Sequence, residues 1–349
     1  MSSLRFCVTA LLVCASSVYL VGGRSLPKNH VALFILGDSM FDAGNNNYIE
    51  TTFRANYCPY GETFFKYATG RFSDGRLIPD FIAEYANLPL IPPYLQPDNH
   101  QFTYGVNFAS AGAGALAETG QGMAIDLRTQ SSHFKNVEKL LRQKLGDAEA
   151  KILLSQAVYL ITIGANDYLN YNAKSISESK EEYVGMVIGN LTAAIKEIYE
   201  KGGRKFGILA LGDLGAFFPP MNVATILSQL HNAELSKVLK ELNIQLEGFR
   251  YAKQDINLTA AEILSNPEIH GFKEVATACC GSGFNRRNFD CGGKRGNCTA
   301  YEVCSDPSEY LFFDAYHLTE KANKLIAELL WSGTPNITGP YNLKALFEA

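Results

Sequence analysis

The chain has 349 residues, of which 47% are hydrophobic and 19% charged, and its formal net charge is −4. This balance is typical of a globular protein with a sizeable core, and it excludes a disordered chain, a collagen-like chain and a small disulfide knot. The sequence has no block of consecutive basic residues, so nucleic acid is a poor candidate partner, because binding to it begins with neutralising phosphates. No repeat or low-complexity linker interrupts residues 24–349, which we predict to form one domain.

The first 23 residues have the pattern of a secretory signal peptide. Arg5 supplies the positive charge, residues 6–21 are mainly apolar, and residues 21–23 suit cleavage before Arg24. An uncleaved anchor is the alternative, but this stretch is shorter than the roughly 20 residues that span a bilayer. No other segment is long and apolar enough to cross a membrane. We therefore expect a secreted protein without a transmembrane segment.

Cysteine usage agrees with export. Removal of the signal would take two of the eight cysteines and leave Cys58, Cys279, Cys280, Cys291, Cys298 and Cys304. Five of these lie in the Gly-rich segment 279–304, which buries little core and is expected to be cross-linked by disulfides. A zinc site is disfavoured because Cys279-Cys280 lacks the usual C-x2-C spacing. Six cysteines allow fifteen pairings, and the sequence does not choose among them.

Four N-x-[ST] sequons begin at Asn190, Asn257, Asn297 and Asn336. Behind a signal peptide they predict a glycoprotein with at least two of these sites occupied. The Asn297 sequon is the weakest, because its middle residue, Cys298, is a candidate for a disulfide.

Short apolar runs alternate with segments of helical periodicity along the chain. The runs predict strands at residues 31–36, 157–163 and 206–211, and residues 104–108 and 249–254 are two further strand candidates. The periodic segments predict helices at residues 77–85, 131–145, 181–200, 224–246 and 319–331. This alternation predicts a parallel sheet covered by helices on both faces. In such sheets the ligand site lies at the carboxyl ends of the strands, so the loops there are where chemistry is expected.

A serine follows the first predicted strand directly. The strand ends in Gly37-Asp38-Ser39, where Gly37 allows a sharp turn that would expose the Ser39 hydroxyl above the sheet edge. Ser39 is therefore a candidate nucleophile. The alternative is a helix cap, since Ser and Asp often satisfy the free N–H groups of a first helical turn.

Two further strands end in groups that can stabilise a negative oxygen. The 157–163 strand runs into Gly164-Ala165-Asn166-Asp167, where the uncharged Asn166 amide can donate a hydrogen bond. The 104–108 strand runs into the small residues 109–114, whose backbone N–H groups can approach a ligand closely. An Asx-turn and the tight packing of a helix start are the respective alternatives.

An acid and a histidine precede the last predicted helix. Asp314 and His317 are three residues apart, so the carboxylate can hold the imidazole in one tautomer and stabilise its protonated form. The alternative is that both residues have only a structural role just before the N-terminus of a helix that Thr319 caps. Each motif alone has such a structural explanation, but the four together supply the parts of an acyl-transfer site.

These motifs resemble those of the plant GDSL esterase/lipases in the SGNH hydrolase superfamily. Residues 34–46 are similar to the first block of that family, 105–114 to the second, 164–167 to the third and 314–319 to the last. The resemblance covers nearly all of the mature chain. Residues 81–86 and 340–343 also resemble the extracellular, defence-associated GDSL lipases, which implies a location in the apoplast or the cell wall.

The resemblance implies a role for each residue of the site. Ser39 would be the nucleophile, His317 the base and then the acid, and Asp314 the carboxylate that orients it. The backbone N–H groups of Ser39 and Gly112 and the side chain of Asn166 would form the oxyanion hole. The implied fold is a flavodoxin-like three-layer α/β/α sandwich with about five parallel strands, and no metal or organic cofactor is implied.

We therefore expect a secreted serine esterase or lipase that hydrolyses a small-molecule or lipid ester of a carboxylic acid. An acyltransferase, in which an alcohol instead of water takes the acyl group from Ser39, is one alternative. A non-catalytic extracellular binding protein is another, because a fold does not guarantee activity.

Overall fold

The computed structural model describes residues 30–97, 101–171, 177–217, 222–289, 291–292 and 301–349. The predicted signal peptide (residues 1–23), Asn297 and Cys298 lie outside these residues.

A six-stranded sheet forms the centre of the fold. Its strands are β1 (Leu33–Gly37), β2 (Gly105–Asn107), β3 (Val158–Thr162), β4 (Lys205–Leu209), β5 (Arg250–Gln254) and β8 (Thr338–Pro340). Two short strands, β6 (Cys280–Gly281) and β7 (Glu302–Val303), form a separate antiparallel pair. The central sheet has the order β2-β1-β3-β4-β5-β8, and its first five strands are parallel. The five predicted parallel strands are therefore confirmed, and the sheet gains an unpredicted antiparallel edge strand, β8.

Helices cover both faces of this sheet. They are α1 (Ile78–Tyr85), α2 (Leu127–Leu145), α3 (Asp147–Gln156), α4 (Ala165–Leu169), α5 (Lys180–Glu200), α6 (Leu214–Phe217), α7 (Asn222–Gln245), α8 (Ile256–Ser265), α9 (Glu320–Ser332) and α10 (Leu343–Glu348). The five predicted helices are present, but α2 begins four residues early because the Asp126 side chain caps it by accepting a hydrogen bond from the Thr129 N–H. None of the helices in the described part of the chain is long and apolar enough to cross a bilayer.

Alternating side chains of β1 show how the core divides into two layers. Phe34 and Leu36 point to one face and pack with α2, α3, α5 and α7. Leu33 and Ile35 point to the other face and pack with α1, α9 and α10. The result is the expected three-layer α/β/α sandwich, and the strand order 2-1-3-4-5 is that of a flavodoxin-like fold.

The strand order reverses direction at β1. The chain passes from β1 to β2 on one side and then crosses to β3 on the other side. Gly37 and Thr162 are register partners at the carboxyl ends of β1 and β3, so the loops that follow these two strands emerge next to each other. Such a switch point is where parallel sheets of this class bind their ligands.

The Cys-rich segment forms a small third core beside the sheet. Disulfides join Cys279 to Cys304 and Cys280 to Cys291, which confirms cross-linking for these four cysteines. They pack with a cluster that includes Tyr60. Disulfides persist in oxidising compartments, so this segment fits an extracellular protein.

Candidate active site

Ser39 lies on a turn whose backbone is held from both sides. Gln130 of α2 accepts a hydrogen bond from the Gly37 N–H at 2.9 Å and donates one to the Gly37 carbonyl at 2.8 Å. One residue further on, the Asp38 carboxylate accepts the Met40 N–H at 3.0 Å, which closes the turn. The position of the Ser39 hydroxyl therefore depends on buried polar contacts as well as on β1 itself.

His317 joins the serine to a carboxylate. Its Nε2 lies 2.9 Å from the Ser39 Oγ, and its Nδ1 lies 2.8 Å from each oxygen of Asp314. The Phe313 N–H donates to the His317 carbonyl at 2.8 Å, so residues 313–317 form a closed turn immediately before α9. Thr319 also caps that helix, since its side chain accepts the Ala322 N–H, but this cap does not displace Asp314 and His317 from the site. The structure thus brings Ser39, His317 and Asp314 into one chain of contacts.

Asp314 is fully buried and accepts several hydrogen bonds. The Tyr60 hydroxyl donates to it at 2.6 Å, and the N–H groups of Tyr316 and His317 donate at 2.8 Å. Burial alone would raise the pKa of Asp314, but His317 and these hydrogen bonds outweigh it and hold the pKa below its usual value. The ionised carboxylate accepts the Nδ1 hydrogen of His317, which leaves Nε2 free to accept the proton of Ser39.

The two predicted oxyanion donors border the same cavity as Ser39. Asn166, in the first turn of α4, donates from Nδ2 to the Ala113 carbonyl at 2.9 Å, and the amide nitrogen retains a second hydrogen. Gly112 has φ +83°, and a Cβ there would lie 2.4 Å from the Phe53 ring, so only glycine suits the position. Ser39, Gly112 and Asn166 all line the cavity.

Neighbouring asparagines tie the loop after β1 to the loop after β2. The Asn45 amide donates to the carbonyls of Asn107 and Ala109, both at 2.8 Å. The Asn46 amide donates to the Ala111 carbonyl at 2.9 Å, next to Gly112. Sequence reasoning assigned no role to this run. The sequence shows only a run of asparagines here; the burial of Asn45 and Asn46, which obliges their amides to find backbone partners, is seen only in the structure.

Two buried aspartates flank Ser39 along the chain. Burial raises the pKa of Asp38 to about 6, although the Met40 N–H and the nearby His317 oppose the shift. Burial also raises the pKa of Asp42 to about 6, against hydrogen bonds from several backbone N–H groups, including that of Ala111. Both carboxyls, which lie close to the candidate nucleophile, therefore hold their protons to a higher pH than an ordinary aspartate.

A third aspartate positions the helix that follows His317. The Asp74 Oδ1 accepts the N–H of Glu320, the first residue of α9, at 2.7 Å. Its Oδ2 accepts the Thr63 hydroxyl at 2.6 Å. The sequence gives no local signal for this contact, because the two partners are 246 residues apart.

The cavity beside Ser39 and His317 has a volume of about 390 Å³. Much of its lining is hydrocarbon from β4, α8, α9 and the segment before α9. We call the residues Leu209, Ile256, Ile263, Leu311 and Ile326 the apolar wall. A hydroxyl, an imidazole and a buried carboxylate in contact beside an apolar cavity have the arrangement found in serine hydrolases.

Comparison with known proteins gives the family. The model of the GDSL-like lipase/acylhydrolase family matches residues 33–330. The chain is 52% identical to GDSL esterase/lipase 1 of Arabidopsis thaliana over 99% of this chain and 98% of that protein. It is 53% identical to GDSL esterase/lipase 2 of the same plant over 93% and 92% of the two chains. A more distant Arabidopsis relative, inactive GDSL esterase/lipase-like protein 25, is 34% identical over 90% of this chain and 74% of its own.

The chain belongs to the plant GDSL esterase/lipase family. It is a carboxylic ester hydrolase, and this class implies a small-molecule ester as substrate.

Proposed function

We propose that the protein is a secreted esterase or lipase that hydrolyses carboxylic esters through an acyl-enzyme on Ser39. The observation that carries this proposal is the 2.9 Å contact between His317 Nε2 and Ser39 Oγ, with buried Asp314 behind the imidazole. The adjoining apolar cavity suits the hydrocarbon part of a small-molecule or lipid ester.

The reaction would proceed in two halves. The Ser39 oxygen attacks the carbonyl carbon while His317 Nε2 takes the hydroxyl proton, and Asp314 stabilises the resulting imidazolium. The negative oxygen accepts hydrogen bonds from the N–H groups of Ser39 and Gly112 and from the Asn166 amide. His317 then gives its proton to the departing alcohol. In the second half His317 deprotonates water as its oxygen attacks the acyl carbonyl carbon, and His317 then returns this proton to the Ser39 oxygen as the carbon–Oγ bond breaks, which releases the acid and restores the enzyme.

We further propose that residues 1–23 are removed and that the mature chain reaches the apoplast or the cell wall. The two disulfides support an extracellular location. Asn190 and Asn336 are exposed and are the best candidates for glycans. Asn257 is only partly exposed.

The proposal is tested by two variants of purified, folded protein assayed on a panel of p-nitrophenyl esters. We expect Ser39→Ala to lower kcat/KM by at least about 10³-fold and to abolish labelling by a fluorophosphonate probe. Asn166→Ala should remain labelled but lose about 10² to 10³ in kcat, because it removes one oxyanion donor.

Ser132→Ala is the matched control, because it deletes an exposed serine hydroxyl on α2 and should leave activity unchanged. Folded Ser39→Ala that retains full hydrolysis would refute the mechanism. A folded wild-type protein that is neither labelled nor active would instead favour a binding protein, the kind of outcome that the inactive relative illustrates.

A further inference from the structure

Two aromatic side chains lie next to His317 at the more exposed end of the cavity. Phe289 comes from the Cys-rich segment and Tyr316 from the turn before α9, and both line the cavity. Their ring centroids lie 6.2 Å and 6.3 Å from that of the imidazole, and 5.1 Å from each other at 73° between the ring planes. Phe289 is partly exposed and Tyr316 is 37% exposed, so a ligand can reach both residues. We call them the aromatic pair.

The backbone that carries the aromatic pair is fixed in place. The disulfide between Cys280 and Cys291 closes the loop on which Phe289 lies. The Tyr316 N–H donates a hydrogen bond at 2.8 Å to Asp314, the same carboxylate that contacts the imidazole. The surface beside the imidazole is therefore formed before a ligand arrives, which lowers the entropic cost of binding one.

The chemistry of the proposed reaction decides which part of an ester lies beside these rings. In the first half of the reaction His317 Nε2 gives its proton to the departing alcohol, so the alcohol oxygen must lie within hydrogen-bond distance of the imidazole. The carbonyl oxygen instead lies against the proposed oxyanion donors, which include Gly112 and Asn166. The alcohol is therefore the part of the ester that begins next to the aromatic pair.

Three kinds of alcohol differ in how well they suit this place. Among the residues that the structure describes, no lysine or arginine lines the cavity, so a phosphorylated alcohol would find no cation to pair with. A quaternary ammonium group binds aromatic rings, but here it would lie beside His317 when the imidazole carries its positive charge, and like charges repel. A neutral aromatic ring meets neither objection, and it can pack edge-to-face or offset against both members of the aromatic pair.

We propose that the aromatic pair binds an aromatic ring in the alcohol part of the substrate. This inference rests on the proposed function and names its substrate class: esters of arylalkyl alcohols, in preference to esters of saturated alcohols of the same size. Contacts between aromatic rings are more favourable than burial of an equal apolar area, and each such contact corresponds to about twofold to tenfold in affinity. The apolar wall, at the buried end of the cavity, is then left for the acyl chain.

The first measurement compares 2-phenylethyl butyrate with 2-cyclohexylethyl butyrate. The two alcohols have the same number of carbon atoms and similar strength as leaving groups, and both esters give the same acyl-enzyme on Ser39. Any difference between them therefore arises before the alcohol departs, and it appears in kcat/KM. We expect the phenyl ester to be favoured about fivefold.

Further esters test the position and the charge of the favoured group. Ethyl 4-phenylbutyrate and ethyl 4-cyclohexylbutyrate carry the ring on the acyl side, and their kcat/KM values should differ by less than about twofold. Butyrylcholine carries a cation in the alcohol, and it should be a poorer substrate than either of the first two butyrates.

Phe289→Leu and Tyr316→Leu each remove one ring but keep an apolar side chain. Each should reduce the ratio of kcat/KM between the phenyl and cyclohexyl esters by about twofold to threefold, and the double variant should abolish the preference. Tyr316→Phe keeps the ring and should keep the ratio. Labelling of each variant by the fluorophosphonate probe checks that the serine site is still formed.

Phe284→Leu is the matched control. Phe284 lies on the same Cys-rich segment as Phe289 and loses the same ring, but it is 90% exposed and is not among the residues that line the cavity. This variant should therefore leave the ratio between the phenyl and cyclohexyl esters unchanged.

The inference is overturned if wild-type protein hydrolyses these esters in a Ser39-dependent reaction but does not favour the phenyl ester, or if it favours butyrylcholine or a ring on the acyl side instead. It is equally overturned if Phe289→Leu and Tyr316→Leu both keep the ratio, or if Phe284→Leu loses it. In each of these cases the proposed function stands. Failure of wild-type protein to hydrolyse any of these esters would refute the proposed function itself.

Discussion

The two sides of the cavity are held together by different forces. The side around Ser39, which we call the polar side, consists of buried polar groups such as Gln130, Asn46 and Asp314. Each of these groups makes two or more directed hydrogen bonds. The apolar wall consists of hydrocarbon side chains that are at most 8% exposed and pack within one layer of the core. A hydrogen bond requires a particular atom in a particular direction, whereas apolar packing requires mainly volume.

This difference predicts how each side responds to mutation. A lost partner on the polar side leaves a buried group unpaired and misplaces a reacting atom, which lowers the rate for every substrate. A change in the apolar wall alters the space available to the ester and should change which substrate is preferred. The predictions below test this division of roles.

The largest effect is expected on the polar side, from Asp314→Asn. The amide has nearly the shape of the carboxylate, but it is neutral and can no longer stabilise the imidazolium of His317 during proton transfer. We expect kcat to fall by about 10⁴-fold for all esters, with little change in KM. Steady-state kinetics on short and long acyl esters would measure both quantities.

Tyr60→Phe is the matched control for this prediction. It removes one hydrogen bond to the same carboxylate but leaves the charge, so kcat should fall by about tenfold or less. If Asp314→Asn stays within tenfold of wild type, the carboxylate is not needed to orient or stabilise His317. A substitution on the polar side would then affect the reaction rate no more than a substitution in the apolar wall.

The contrast also explains which features the sequence predicts. β1, β3 and β4 lie in apolar runs, whereas β5 contains Arg250, Lys253 and Gln254 and gives a weaker signal. Turn-forming or polar residues follow the runs that end at the site, so most of the sheet and its functional edge leave a local signal. Ser39, Asp314 and His317 lie in such local motifs, and the structure brings their side chains together. Their catalytic roles stay predictions.

Other features leave no local signal. Tyr60 contacts Asp314 across 254 residues, and Gln130 contacts Gly37 across 93, so only the folded chain reveals these supports. β8 has three residues and ends in Pro340, too short to show a periodic pattern. The apolar wall combines side chains from separate elements whose sequence signal is only hydrophobicity, which does not distinguish a cavity wall from the core around it.

A second test concerns the burial of charge beside Ser39. The pKa of Asp38 rises from 3.8 in solution to about 6 in the folded protein. Between these pH values the folded protein holds a proton that the unfolded chain has released, so wild-type stability falls as pH rises through this window. Asp38→Asn is neutral at every pH and keeps an oxygen that can accept the Met40 N–H. Relative to wild type it should gain up to about 3 kcal/mol between pH 4 and pH 7.

Urea unfolding at several pH values measures this gain. Glu241→Gln, which removes an exposed carboxylate from α7, controls for the loss of one negative charge and should change stability by less than about 0.5 kcal/mol throughout. A difference between Asp38→Asn and wild type that does not vary with pH would mean that the Asp38 charge is already well compensated. Burial of the ionised Asp38 carboxylate would then not lower the stability of the folded protein.

The smallest effect is expected from the apolar wall, where Ile326→Val removes one methylene group. Stability should fall by about 0.5 to 1.5 kcal/mol, and kcat/KM should shift by about tenfold towards longer or bulkier chains. Ile188→Val makes the same change in α5, in the other core layer and away from the cavity. It should cost similar stability without changing chain preference. If both variants shift the preference, or if Ile326→Val lowers kcat uniformly, the wall also positions the reacting atoms, and the two sides of the cavity are not separable in function.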